Sequence, residues 1–152
     1  MKKLLLLAVL AAAAWFGYTK WFADREAIQA YEKFAHAWSR GDTDEAARHG
    51  EKQVAENAIQ SQNLRGMRSG SIMEAFHGER YEIESKTAQP DGGVRLEVKQ
   101  TILFDPPGAT TGIGGAMWTT IHHSATLHRT PEGWKVTAFE AKYLDMGETR
   151  RR

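Results

Sequence analysis

The chain has 152 residues, enough for one ordinary domain and too few for a second full one. It contains no cysteine, which excludes disulfides, thiolate catalysis, cysteine-ligated zinc and lipidation at a cysteine. Its formal net charge of +1 hides a split: residues 1–22 hold three lysines and no acid, leaving 17 of the 20 basic side chains against all 19 acidic ones in the remainder. A nucleic-acid-binding domain carries a basic surplus on its folded part, so that class of function drops out.

Met1-Lys2-Lys3 is a short basic start. The 19 residues Leu4 to Phe22 then carry a single charge, at Lys20. As a helix they would span about 28 Å at about 1.5 Å per residue, close to the ~30 Å of a bilayer core. Lys20 lies within one turn of the end, where its stem can snorkel to the headgroups. Trp15, Tyr18, Trp21 and Phe22 suit an interfacial aromatic belt. A helix buried in the domain is excluded, because nothing polar interrupts Leu4–Tyr18. The competing reading is a signal peptide cut within Ala11–Ala14. Such a cut would leave Trp15-Phe16-Gly17-Tyr18 as an apolar mature start, which favours an uncleaved signal anchor. The flanking lysines keep the N-terminus cytoplasmic, so the domain is expected on the periplasmic or extracytoplasmic side of a bacterial inner membrane.

Residues 24–40 predict an amphipathic helix, with Ala27, Ile28, Tyr31, Phe34, Ala35 and Trp38 on one face. Gly41 ends it, and Asp42 caps a second helix with Glu45 as a capping-box partner. Helical signal continues to about Asn63, with Gly50 as a dividing point. Beyond Gly66–Gly70 the period changes to two. Ile72–His77 and Arg80–Lys86 are short strand candidates, and Pro90–Gly93 is a turn by composition. Val94, Leu96, Val98, Ile102 and Phe104 alternate with polar residues in a third strand, Met117–Arg129 forms a long one, and Thr130–Gly133 turns it into Trp134–Tyr143. Helices followed by an antiparallel meander define an α+β class.

Two landmarks carry a resemblance. One is the corner Trp38-Ser39-Arg40-Gly41-Asp42-Thr43-Asp44-Glu45-Ala46; the other is the closing hairpin from Thr126-Leu127-His128-Arg129 through Glu132-Gly133-Trp134-Lys135-Val136 to Phe139. In this order they resemble the NTF2-like superfamily, also called the SnoaL-like or ketosteroid-isomerase-like fold. The resemblance covers about residues 24–145. It implies a cone in which N-terminal helices pack on a curved antiparallel sheet, preceded here by one hydrophobic helix. It also implies an apolar pocket inside the cone and pairing of copies through the sheets. The family's fold is shared by enzymes and non-enzymes.

Isomerase members resemble one another in a helix tyrosine, a carboxylate base before the first strand and a late protonated acid. In this chain the first place falls on Phe34 and the last near Ala125, and no carboxylate lies between Asn57 and Ile72. The three roles read as vacant, and the chain is expected to be non-catalytic. Pocket candidates are Tyr31, Phe34, Trp38, Phe104 and His123, the last on the more apolar face of the Met117–Arg129 strand. That face makes His123 a core histidine before it is a base or a ligand group. Trp118, Thr120 and His122 share the opposite face and are interface candidates. His122 and His128 are six residues apart, about 20 Å along a strand, too far for one metal ion. Asp105–Gly115 joins two strands by a glycine-rich loop, with Gly108, Gly112, Gly114 and Gly115; it lacks the lysine and following helix of a phosphate-binding loop, so a flap over the cone mouth, a contact loop for a partner or a plain connection is expected.

The expectations are therefore an anchor or signal peptide at 1–22, an NTF2-like domain at 24–145 and a basic tail at 146–152. The role expected is binding or scaffolding, as a homodimer or with a membrane-complex partner, held at the inner membrane through residues 4–22. No metal or cofactor is implied. The alternative is a small-molecule pocket protein for an apolar ligand, or an enzyme of the cyclase, dehydratase or isomerase type, using Tyr31 and His123.

Overall fold

A computed structural model describes residues 25–64, 76–104 and 117–148. The predicted membrane segment, the strand start at Ile72, the loop glycines 108, 112, 114 and 115, and the end of the basic tail lie outside the described residues. Among those described, no helix is long and apolar enough to cross a membrane.

Helix α1 covers residues 25–40 and buries Ala27, Tyr31, Phe34, Ala35 and Trp38, the positions that helical spacing places on one face. Its end is a Schellman motif. Gly41 takes φ +70, its N–H donates to the Trp38 carbonyl, and the Asp42 N–H donates to the Ala37 carbonyl. Asp42 then caps α2, Thr43–His49, by accepting from the Glu45 N–H at 3.0 Å. The predicted capping box is half realised. The Glu45 carboxylate turns forward instead, to Arg48 at 2.8 Å and His49 at 3.2 Å. Helix α3 is Lys52–Leu64, and the Trp38 indole N–H ties α1 to it by donating to the Ala58 carbonyl at 3.1 Å.

Gly50 divides α2 from α3 for a reason of space. It forms a parallel bridge to Val136, and Glu51 N–H donates to the Val136 carbonyl at 2.9 Å. A Cβ on Gly50 would lie 2.6 Å from the Phe34 ring and 3.2 Å from the Val136 carbonyl oxygen. Gly50→Ala is therefore expected to destabilise the fold by about 1–3 kcal/mol, because both neighbours are buried and must move. Urea unfolding with an unchanged slope but a lower midpoint checks this.

Four antiparallel strands follow in the order β1-β2-β3-β4, an uninterrupted meander: Phe76–Ala88, Val94–Phe104, Met117–Thr130 and Gly133–Glu148. The two short strand candidates are corrected to one, since residues 76–77 and 80–86 lie in a single β1 that pairs with β2 along its length. β4 likewise runs past the predicted Tyr143 to Glu148, where it pairs with Met117 of β3. The three helices pack on this sheet, giving the α+β class. The core lies between α1 and the inner sheet face, with Leu96, Val98, Ile121, Ala125, Leu127 and Val136 all buried.

Two irregularities in the β3–β4 register set which side chains face outward. The pairing steps from Thr126↔Ala138 to Leu127↔Val136, and from Thr120↔Asp145 to Ile121↔Tyr143. Each leaves one β4 residue unpaired, Thr137 and Leu144. The second places Leu144 next to Asp145 on the outer face, where a strict alternation would have separated them.

Candidate functional site

Four of the five predicted pocket residues meet: Tyr31, Phe34, Trp38 and His123. Tyr31, Phe34, Trp38, Phe104 and His123 are all buried. Four of them, with Phe139, form one aromatic cluster. The His123 ring lies 5.0 Å from Trp38 and 5.0 Å from Phe139, both edge-on. Phe139 lies 5.1 Å from Phe34 and 5.3 Å from Trp38. Phe34 and Ala125 are both in the apolar core.

His123 stands on β3 directly below α1, and its Nδ1 is 2.6 Å from the Tyr31 hydroxyl. Among the described residues the phenol has no other acceptor, so its O–H donates to Nδ1 and the imidazole carries its hydrogen on Nε2. That Nε2 is buried and has no partner among the described residues. Burial, with a smaller contribution from neighbouring His122, lowers the His123 pKa to about 3, so the ring is neutral at physiological pH. Burial, and then the charges of Glu32 and Glu79, push the Tyr31 phenol well above its ordinary value, so it stays a donor.

A polar chain extends from this pair toward the surface, and sequence reasoning missed it. Gln100 sits on the inner face of β2, fully buried, beside Tyr81 of β1. Its amide N–H groups donate to Glu79 Oε2 at 2.8 Å and to the Tyr81 hydroxyl at 3.2 Å, which fixes the amide orientation. Gln100 Oε1 is left buried without a donor among the described residues. Glu79 also takes hydrogen bonds from His36 and, at 3.4 Å, from Ser39. The Tyr81 ring meets Tyr31 edge-on at 6.0 Å. Burial and the adjacent Glu79 carboxylate drive the Tyr81 phenol far above its usual range. A shallow depression of about 350 Å³ opens over Glu32, Lys33, His36, Glu79 and Tyr81. The available signal was Gln100 itself, a polar residue at an inward position of an otherwise apolar alternation.

On the outer face Trp118, Thr120 and His122 share one side, as predicted, but their surroundings differ. Thr120 is buried within the chain itself. His122 lies 3.3 Å from Glu84 and 3.5 Å from Glu97, two carboxylates that the sequence order hides. Trp118 packs so closely on Gly147 that a Cβ there would lie 2.8 Å from the indole. Lys99, Thr101, Trp118, Thr120, Leu144 and Asp145 line an open groove of about 380 Å³, with Leu144 53% exposed. Among the described residues, no three histidine or carboxylate side chains group to hold a metal ion.

No family model matches the chain, and no curated protein is significantly similar to it.

Proposed function

We propose that the chain is a membrane-anchored, extracytoplasmic domain of the NTF2-like kind with a binding or scaffolding role, acting as a homodimer joined through its outer sheet faces. The observation that carries this is Leu144, a large apolar side chain that a β-bulge sets beside Trp118 in an open groove, 53% exposed. The inner aromatic side chains are spent on one another, whereas Leu144 stays largely uncovered within the described residues. A second copy is the occupant the charges favour. Lys99 and Asp145 flank the groove, and Arg95, Glu97 and Glu84 lie along the same face, so the face carries charges of both signs, as a self-complementary surface requires. The order of three helices and a four-stranded meander supports the NTF2-like reading, and the apolar leader supports the anchor.

Native mass spectrometry of the full chain, released gently from its own membranes in a maltoside detergent, tests this. A homodimer is expected, and Leu144→Glu is expected to return it to a monomer of unchanged thermal stability. A wild-type monomer would overturn the proposal.

The alternative, a pocket for a small ligand, has its own support in His123 Nε2 and Gln100 Oε1, two buried polar atoms without partners. A tightly held adduct of small mass on the wild-type protein, absent from a Gln100→Met variant, would establish that reading in the same spectra.

A further inference from the structure

The sheet has two unlike ends. The β1–β2 turn and the β3–β4 hairpin share one of them, since Ala88 pairs with Val94, Val94 with Leu127 and Thr130 with Gly133. Asp91 of the turn and His128 beside the hairpin are joined at 2.9 Å. The opposite end is marked by Phe104 and Met117, which pair with each other. Helix α1 runs from one end to the other. Lys33 and the turns before it meet the hairpin: Glu26, Gln29 and Lys33 of α1, His49 of α2 and Arg129 and Glu132 of the hairpin enclose a concavity of about 450 Å³. Its last turn meets Glu79 through Ser39, and Glu79 pairs with Ile102, two residues from Phe104. Only Ala23 and Asp24 separate Arg25, the first residue of α1, from Phe22, the last of the expected membrane segment. Even fully extended, the chain covers at most about 10 Å between Phe22 and Arg25.

We propose that the hairpin end of the sheet faces the lipid bilayer, with the β3–β4 hairpin at headgroup level and the Phe104–Met117 end pointing away. This rests on the reading of residues 4–22 as a membrane anchor and names the surface that the anchor brings to lipid. Lying on its side would instead require an apolar stripe along the side that meets the bilayer. The helical side has none: the exposed residues of α1 and α3 are all polar, as at Glu32 and Lys33 or Glu56 and Asn57. The outer sheet face carries the charges of Arg95, Glu97 and Lys99. At the hairpin end Glu26 and Glu132 offset Arg25 and Arg129, so the short tether sets the approach and charge does not. The orientation also bears on the outer groove. Trp118 lies eleven residues before Arg129 on β3, about 36 Å at ~3.3 Å per residue. The groove at Trp118 and Leu144 therefore stands out of reach of the bilayer, and level with the groove of a second copy anchored in the same membrane.

The chain has no cysteine of its own, so one introduced cysteine carries a fluorescent label at a chosen place. Glu132→Cys puts it at the hairpin. Arg40→Cys puts it at the other end of α1, about 22 Å from Arg25 at ~1.5 Å per residue. Both positions are exposed, so folding is retained. Each labelled full chain is reconstituted into vesicles of phosphatidylcholine and phosphatidylglycerol, with and without lipids bearing a nitroxide on the headgroup in both leaflets. The label of Glu132→Cys is expected to lose most of its emission to the nitroxide lipids, and that of Arg40→Cys to keep most of its own. Protein that floats with the vesicles but shows equal quenching at the two positions, or stronger quenching in Arg40→Cys, overturns the orientation and leaves the anchor standing. Protein that does not float with the vesicles overturns the anchor reading, and the orientation with it.

Discussion

Acidification below neutral pH is expected to weaken the fold steadily, and His123 is expected to account for most of the slope. The imidazole is enclosed by Trp38, Phe139 and the Tyr31 hydroxyl, and burial lowers its pKa from 6.5 to about 3. In that window the unfolded chain binds a proton at this position and the folded chain does not. Stability therefore rises with pH between these two values, by at most about 1.4 kcal/mol per pH unit from this one group. It is fully present above the unfolded value and is lost as pH falls toward the folded one. Urea unfolding at a series of pH values reads the slope directly. Replacing His123 alone would leave the Tyr31 hydroxyl buried without an acceptor, so the comparison is the double variant Tyr31→Phe/His123→Phe, which removes both polar partners together. The remaining histidines are common to both chains, and the difference between the two curves isolates His123. The double variant is expected to lose the larger part of the acid slope, and equal slopes would contradict the burial argument. Tyr31→Phe alone is expected to cost about 1–3 kcal/mol at neutral pH, because it strands Nδ1 in the core.

The α1 face, the Gly41–Asp42 corner, the hairpin turns and the inward side of β3 were legible in the sequence because each rests on local rules. Helical spacing, a left-handed glycine followed by a capping aspartate, and strict alternation act within a few residues. What escaped depends on pairing between distant segments. Glu79, Tyr81 and Gln100 become one polar cluster only through the β1–β2 register, which sets Tyr81 against Gln100. His122 gains Glu84 and Glu97 by the same means. Leu144 was hidden for a further reason: a β-bulge breaks the parity on which a period-two reading depends, so its face cannot be counted from either end of β4. The concavity at Lys33 and Arg129 joins residues 96 positions apart across three elements, with no spacing signal of any kind.

Removing the Glu79 carboxylate is expected to be the most damaging single change in the polar chain. Glu79 receives Gln100, His36 and Ser39, and its side chain is only 11% exposed. In Glu79→Ala the fully buried Gln100 amide loses its charged acceptor and keeps only the 3.2 Å bond to the Tyr81 hydroxyl, while its Oε1 remains without a donor among the described residues. A hydrogen bond to a charged group is worth about 1.5–3 kcal/mol, and a stranded buried amide adds to that, so a loss of about 3 kcal/mol is expected. Gln100→Met behaves differently, because it removes the buried amide altogether and puts an adaptable apolar chain of similar length in its place. It is expected to be close to neutral, since it also frees Glu79 to turn toward solvent beside His36. Combined with Glu79→Ala it should restore about half of the lost stability, giving a coupling energy of at least about 1 kcal/mol in the double-mutant cycle. Additive losses would mean that Glu79 acts through His36 and Ser39 alone. Titration of the tyrosines supplies a second readout that packing does not move. The Glu79 charge helps hold the Tyr81 phenol in its neutral form, so Glu79→Ala should bring the Tyr81 ionisation down toward the ordinary tyrosine range, while burial keeps it from reaching that range.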